Sequence, residues 1–147
     1  MKILLDTNIL VHAYNKSSPN QKIASKILKQ AIKREIEAYL TPQILYEFYA
    51  VVTDSKRVEN PMKLGEAADL CLELGECREI EKINATQKTP NEVFGLAKEQ
   101  KLVKGRIFDC IIAVTAQENK IDTIYTENVA DFEKYGFIKV LNPFKES

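Results

Sequence analysis

Five short apolar runs, KILL, EAYL, EIEKI, DTIY and FIKVL, divide the chain into segments too long for hairpin turns, and each interval between them reads as helix. Antiparallel neighbours can be joined by two residues, whereas parallel neighbours need a crossover, usually a helix. This alternation predicts an α/β domain, a three-layer sandwich with a mainly parallel central sheet. The 147 residues, 45% hydrophobic and 29% charged, are enough for one sizeable core. Without a repeat, a low-complexity tract or a linker, residues 1–147 are expected to form a single domain.

The intervals carry helical periodicity. In QKIASKILKQAIKREI, Ile23, Ile27 and Ala31 form one stripe with Ala24, Leu28 and Ile32 beside it, which predicts a helix running to Ile36. QILYEFYAVVTD and RIFDCIIAVTAQEN are almost wholly apolar, the pattern of helices buried all round. Pro42 is read as the stop of the second strand. Pro61 stands near the start, and Gly75 near the end, of a helix over NPMKLGEAADLCLELGE. TPNEVFGLAKEQKL reads as a helix capped by Thr89 with Pro90 in its first position. A short helix over NVADFEKYG is expected to close at Gly136.

Several function classes drop out. There is no GxxxxGK[ST] phosphate loop and no GxGxxG dinucleotide turn. Cys71, Cys77 and Cys110 fit no zinc spacing, and an odd number gives no disulfide framework. They read as packing or surface thiols. His12, the only histidine, would have to carry a zinc site or a hydrolase triad alone, and it reads as a structural helix residue. An aspartate-nucleophile phosphatase needs a second acid two positions after the first, and DTN places Asn8 there. No apolar run approaches the roughly 20 residues that span a bilayer, and Asp6 interrupts the first run too soon for a signal peptide. No membrane partner and a cytoplasmic location are therefore expected. Charge is balanced, 21 basic against 21 acidic residues. The clusters Lys16–Arg34 and Lys98, Lys101, Lys104, Arg106 read by themselves as solvated helix faces.

Three acids stand out because their neighbours are apolar. Asp6 ends KILL, Glu47 lies inside ILYEFYAVV, and Asp109 inside IFDCIIAVTA. A carboxylate is costly to bury unless it is paired or holds a cation. Three such acids gathered in one pocket would repel strongly, and a divalent cation resolves the conflict. Hard ions such as Mg²⁺ and Mn²⁺ take oxygen ligands from a few carboxylates. In open α/β sheets, sites form beyond the carboxyl ends of the strands. Asp6 lies at one such end, and YTENVADF offers Thr126, Asn128 and Asp131 at another.

LLDTNIL, the lone Glu47, FDCIIAVTA and IYTENVADF, in that order and over nearly the whole chain, resemble a PIN domain. The likeness is greatest to the small VapC-type toxin ribonucleases and related stand-alone prokaryotic PIN proteins. The resemblance implies an α/β/α sandwich and a Mg²⁺- or Mn²⁺-dependent endoribonuclease, a toxin restrained by an antitoxin and often a homodimer. It places Asp6, Glu47, Asp109 and Asp131 as catalytic and metal-holding acids, with Asn8 and Thr126 in support. Some family members have an acid where this chain has Asn128, so the fourth acidic role falls to Asp131, is shared with Asn128, or passes through water. An RNA substrate also gives Lys101, Lys104 and Arg106, just before the Asp109 helix, a role as phosphate contacts. Two rival readings are a catalytically silent PIN-like module that binds RNA or protein, and a metal-dependent nuclease for structured DNA.

Overall fold

Leu4, Leu5, Leu40, Ile80 and Ile124 are completely buried, as strands covered on both faces require. In the computed structural model, which describes residues 1–145, they belong to one sheet of five parallel strands. The strands are β1 (Lys2–Leu5), β2 (Glu37–Leu40), β3 (Ile80–Lys82), β4 (Thr123–Tyr125) and β5 (Lys139–Leu141), in the spatial order β3-β2-β1-β4-β5. β1 is central, with Ile3 in register with Ala38 of β2 on one side and Thr123 of β4 on the other.

Seven helices connect the strands: α1 (Thr7–Tyr14), α2 (Gln21–Ile32), α3 (Pro42–Val52), α4 (Leu64–Glu76), α5 (Thr89–Gln100), α6 (Arg106–Glu118) and α7 (Val129–Phe132). The strand order steps outward from β1 in one direction through β2 and β3, then returns to β4 and β5 on the other side. With the usual right-handed crossovers, that order puts α1 to α4 on one face and α5 to α7 on the other. The packing agrees: α1 lies on α2 and α3, α3 on α4, α5 on α6, and α6 on α7. Phe48 from α3 and Phe132 from α7 fill opposite sides of the core, each with no exposed surface. No described helix is long and apolar enough to cross a membrane.

The structure departs from the expected helices in ways that local chemistry explains. α2 ends at Ile32, because the chain turns through Arg34 at φ 59° to feed β2. Pro42 opens α3: it occupies the first helical turn, where its missing N–H is no loss, and Thr41 Oγ1 accepts from the Ile44 N–H at 3.1 Å. Thr89 is inside α5 and does not cap it. Its hydroxyl oxygen accepts from the Thr86 N–H at 2.8 Å and its O–H donates to Glu118. Pro61 lies in the loop before α4, and α7 closes at Phe132, four residues before Gly136. Finally, α3 and α6 are not buried all round: Tyr46 is 71% and Phe108 54% exposed. The apolar surplus on these helices faces solvent next to the acids that interrupt it.

Candidate active site

Asp6 leaves the end of β1 in extended conformation and serves as the N-cap of α1. Its backbone N–H still donates to Tyr125 of β4, so the position is fixed by the sheet on one side and by the helix on the other. The carboxylate is 6% exposed and well provided with donors. Oδ1 accepts from the Thr7 N–H at 2.8 Å, and Oδ2 accepts from the Thr126 hydroxyl at 2.7 Å and from Asn8 Nδ2 at 3.2 Å. Thr126 Oγ1 also accepts from the Asn128 N–H at 3.0 Å, and Asn8 Oδ1 from the Glu127 N–H at 3.0 Å. Asn8 and Thr126 thus tie the loop after β4 to the start of α1. Burial pushes the Asp6 carboxyl above its ordinary range. The Thr126 and Thr7 donors oppose the rise, and the charge of Glu47 adds to it.

Glu47 comes from the second turn of α3. Oε2 accepts from the Thr7 hydroxyl at 2.9 Å and Oε1 from Gln43 Nε2 at 2.9 Å. Gln43, one helical turn before Glu47, also donates to the Phe108 carbonyl at 3.2 Å and so links α3 to the start of α6. Asp109 stands in the first turn of α6, half-buried and without a hydrogen bond among the influences on it. Burial raises its carboxyl to about 7, with further increments from the charges of Asp131, Asp6 and Glu47, and Lys134 only partly offsets them. That list of repelling neighbours places the four acids, drawn from β1, α3, α6 and α7, around one region at the carboxyl edge of the sheet.

Asp6, Glu47 and Asp109 wall a cleft of about 490 Å³ together with Asn8, His12, Arg57, Glu127 and Asn128. Asp131 reaches Asp109 from the side of α7 and is not part of the cleft wall. His12 sits half-buried at the edge, with Nε2 3.0 Å from Glu127 Oε2, Nδ1 2.6 Å from Ser18 Oγ, and Phe144 packed edge-on at 4.9 Å. Lys101, Lys104 and Arg106 are exposed on the approach to α6, and none of them walls the cleft.

The donor set is made of hard oxygens whose mutual repulsion is uncompensated, which suits a divalent cation. As the side chains stand, no three described acidic, histidine or cysteine side chains converge tightly enough to chelate one. Closing on an ion calls for rotation of Glu47 and Asp109, and both lie on half-exposed helix faces. Thr7, Gln43, Glu127, Lys134 and Arg57 were missed by sequence reasoning. Thr7 and Glu127 lie inside the DTN and TEN segments, and Gln43 and Lys134 lie one turn from Glu47 and Asp131. Those four had a signal in their spacing. Arg57, in an irregular loop, had none.

A family model for the PIN domain matches residues 3–138. Ribonuclease VapC24 of Mycobacterium tuberculosis is 28% identical over 141 residues, which span 95% of this chain and 94% of that protein. Among solved structures, VapC20 of Mycobacterium tuberculosis, a toxin that cleaves the sarcin-ricin loop, superposes with a TM-score of 0.67 at 13% identity, covering 95% of this chain and 98% of its own. VapBC2 from Rickettsia felis, bound to a DNA fragment from its promoter, gives 0.67 at 22% identity, with 97% and 98% covered. VapBC-1 from nontypeable Haemophilus influenzae gives 0.67 at 17%, with 99% and 100% covered.

Proposed function

The chain belongs to the PIN-domain family, and on that premise we propose that it is a Mg²⁺- or Mn²⁺-dependent endoribonuclease acting as the toxin of a toxin–antitoxin pair. The observation that carries the reading is the gathering of Asp6, Glu47, Asp109 and Asp131 at one sheet edge, with Asp109 raised to about 7 by burial and further by the charges of the other three. The similarity to a ribonuclease of nearly equal length supports the activity, and the likeness to VapBC proteins supports the antitoxin partner.

In this reading the four acids would hold the cation, Asp6 and Asp109 most directly, with Glu47 and Asp131 in support. A divalent cation held there would supply a Lewis acid for the phosphodiester and a lower pKa for water. Asn8 and Thr126 keep the Asp6 carboxylate in one orientation, and Thr7 and Gln43 do the same for Glu47. Asn128 contributes a polar group to the cleft wall. One acid takes the proton of the attacking water as general base.

A homodimer is part of the proposal. Phe94 and Phe108, 64% and 54% exposed, flank an apolar depression of about 480 Å³ between α5 and α6. Light scattering on the purified protein tests this, and a monomer at micromolar concentration rejects it.

Incubating the protein with RNA and DNA panels in Mg²⁺ or Mn²⁺, beside Asp6→Asn and Asp109→Asn, tests the activity. Cleavage of RNA by the parent alone is the expected result. Preferential cleavage of structured DNA would favour the second nuclease reading, and equal cleavage by the variants would remove these acids from the chemistry.

A further inference from the structure

An acid-lined cleft repels the phosphates it is meant to receive, and a cation held by the acids neutralises only what lies against it. Positive charge for the rest of the strand has to come from the protein. Resting on the ribonuclease reading, we propose that Arg57 grips the phosphate of the RNA nucleotide next to the scissile one.

Among the described residues, Arg57 is the only lysine or arginine on the wall of the cleft that holds Asp6, Glu47 and Asp109. Its guanidinium is unclaimed. Among the described residues no carboxylate lies within 4.0 Å of it and no hydrogen bond leaves it, although the acids occupy the same cleft.

The backbone beneath it, by contrast, is built. The turn after α3 is closed by the Arg57 and Val58 N–H groups, both donating to the Asp54 carbonyl at 3.0 Å, and by the Lys56 N–H donating to Asp54 Oδ1 at 2.8 Å. Val58 is buried beside Arg57, and the Met62 N–H donates to the Val52 carbonyl at 2.8 Å across the mouth of the loop. A fixed backbone leaves only the side-chain rotamers of Arg57 to be ordered on binding. The planar fork also matches a phosphate with two parallel hydrogen bonds, which an ammonium cannot do. Ala50 and Val51 also line the cleft and carry no charge. No described carboxylate lies within 4.0 Å of the guanidinium, so it is set apart from the acids, meets a neighbouring phosphate and leaves the reacting one to the acid site.

The test compares the parent with Arg57→Ala and Arg57→Lys on a short single-stranded RNA in Mg²⁺. Arg57→Ala is expected to raise KM about tenfold or more with kcat within about threefold, and Arg57→Lys to recover part of the loss. The slope of log affinity against log salt should fall by about 0.7, the value of one phosphate contact on a single strand. Thermal melting should not move, since the side chain is exposed and unpaired. Binding of the same RNA by Asp109→Asn, with and without Arg57→Ala, reads the contact in the absence of cleavage. An unchanged KM, affinity and salt slope overturns the proposal, and so does a fall confined to kcat, which would place Arg57 on the reacting phosphate. A parent that cleaves no RNA defeats the ribonuclease reading instead, and the binding pair still decides the contact.

Discussion

Asp6 and Asp109 meet at the same cleft but are held in opposite ways. Asp6 is buried at the end of the central strand with three donors to its carboxylate, and these partners come from both ends of the chain. Asp109 is half-buried on a helix, surrounded by other acids, with Lys134 as its one named compensating charge. One side of the site is finished by the fold. The other is left with a repulsion that only an added positive charge relieves. A site assembled this way keeps Asp6 in place without a ligand and gains stability when a cation draws the other acids in.

The largest expected effect tests whether the two acids share a task. Asp6→Ala and Asp109→Ala should each lower RNA cleavage by about 100-fold or more, since both would hold the ion. Their stabilities should move apart in the metal-free protein. Asp6→Ala loses a helix cap and strands buried donors, costing about 1–3 kcal/mol in denaturant melts. Asp109→Ala removes a repelled charge and should melt higher than the parent at pH 8. Equal losses of stability would erase the contrast.

Next comes Thr126→Val, which keeps the shape but removes the hydroxyl that orients Asp6 and receives the Asn128 N–H. A fall of about 10–100-fold in metal affinity is expected, with a stability cost of about 1–3 kcal/mol. Metal titration by calorimetry reads the first, and a urea melt the second.

The pH dependence sharpens the comparison further. The Asp109 carboxyl lies at about 7 in the folded chain against an ordinary value of 3.8. Between these values the folded state keeps a proton that the unfolded chain has lost. Stability of the metal-free protein should therefore fall as pH rises through this window and level off above it. Asp109→Asn should show a smaller fall, the remainder coming from the raised Asp6 carboxyl. Mg²⁺ binds the ionised form, so its stabilising effect should be greater at pH 8 than at pH 5, measurable as a larger shift in melting temperature.

The smallest effect lies behind the acids. Among the described residues the buried Tyr135 hydroxyl has no nitrogen or oxygen partner, and only the weakly bonding Cys110 thiol lies beside it. Tyr135→Phe removes an unsatisfied group and should be neutral or stabilising by up to about 1 kcal/mol, with cleavage unchanged.

The sequence made the layering legible because the strands are short, apolar and separated by helical periods, so the parallel sheet follows from topology rules alone. Asp6, Glu47 and Asp109 were legible for a related reason: a charge among apolar neighbours breaks a pattern. The exposure of the helices that carry them was not. Part of the apolar surface around Glu47 and Asp109 turned out to be exposed, as Tyr46 and Phe108 show. Composition cannot separate a helix covered all round from one with a sticky outer face. Arg57 was hidden for the opposite reason. It sits in a loop without periodicity, among lysines and acids that look the same, and only the walls of the cleft single it out.

The bond from Thr126 to Asp6 spans 120 positions of chain. During synthesis Asp6 leaves the ribosome 120 residues ahead of Thr126. β1 is an edge strand until β4 arrives to flank it, and the carboxylate at its tip has no hydroxyl to fix it. A partly made chain therefore contains Asp6, Glu47 and Asp109 without a cleft to arrange them. The order in which the strands are threaded delays the site until β4 has been made, and a chain that stops before β4 lacks the hydroxyl that fixes Asp6.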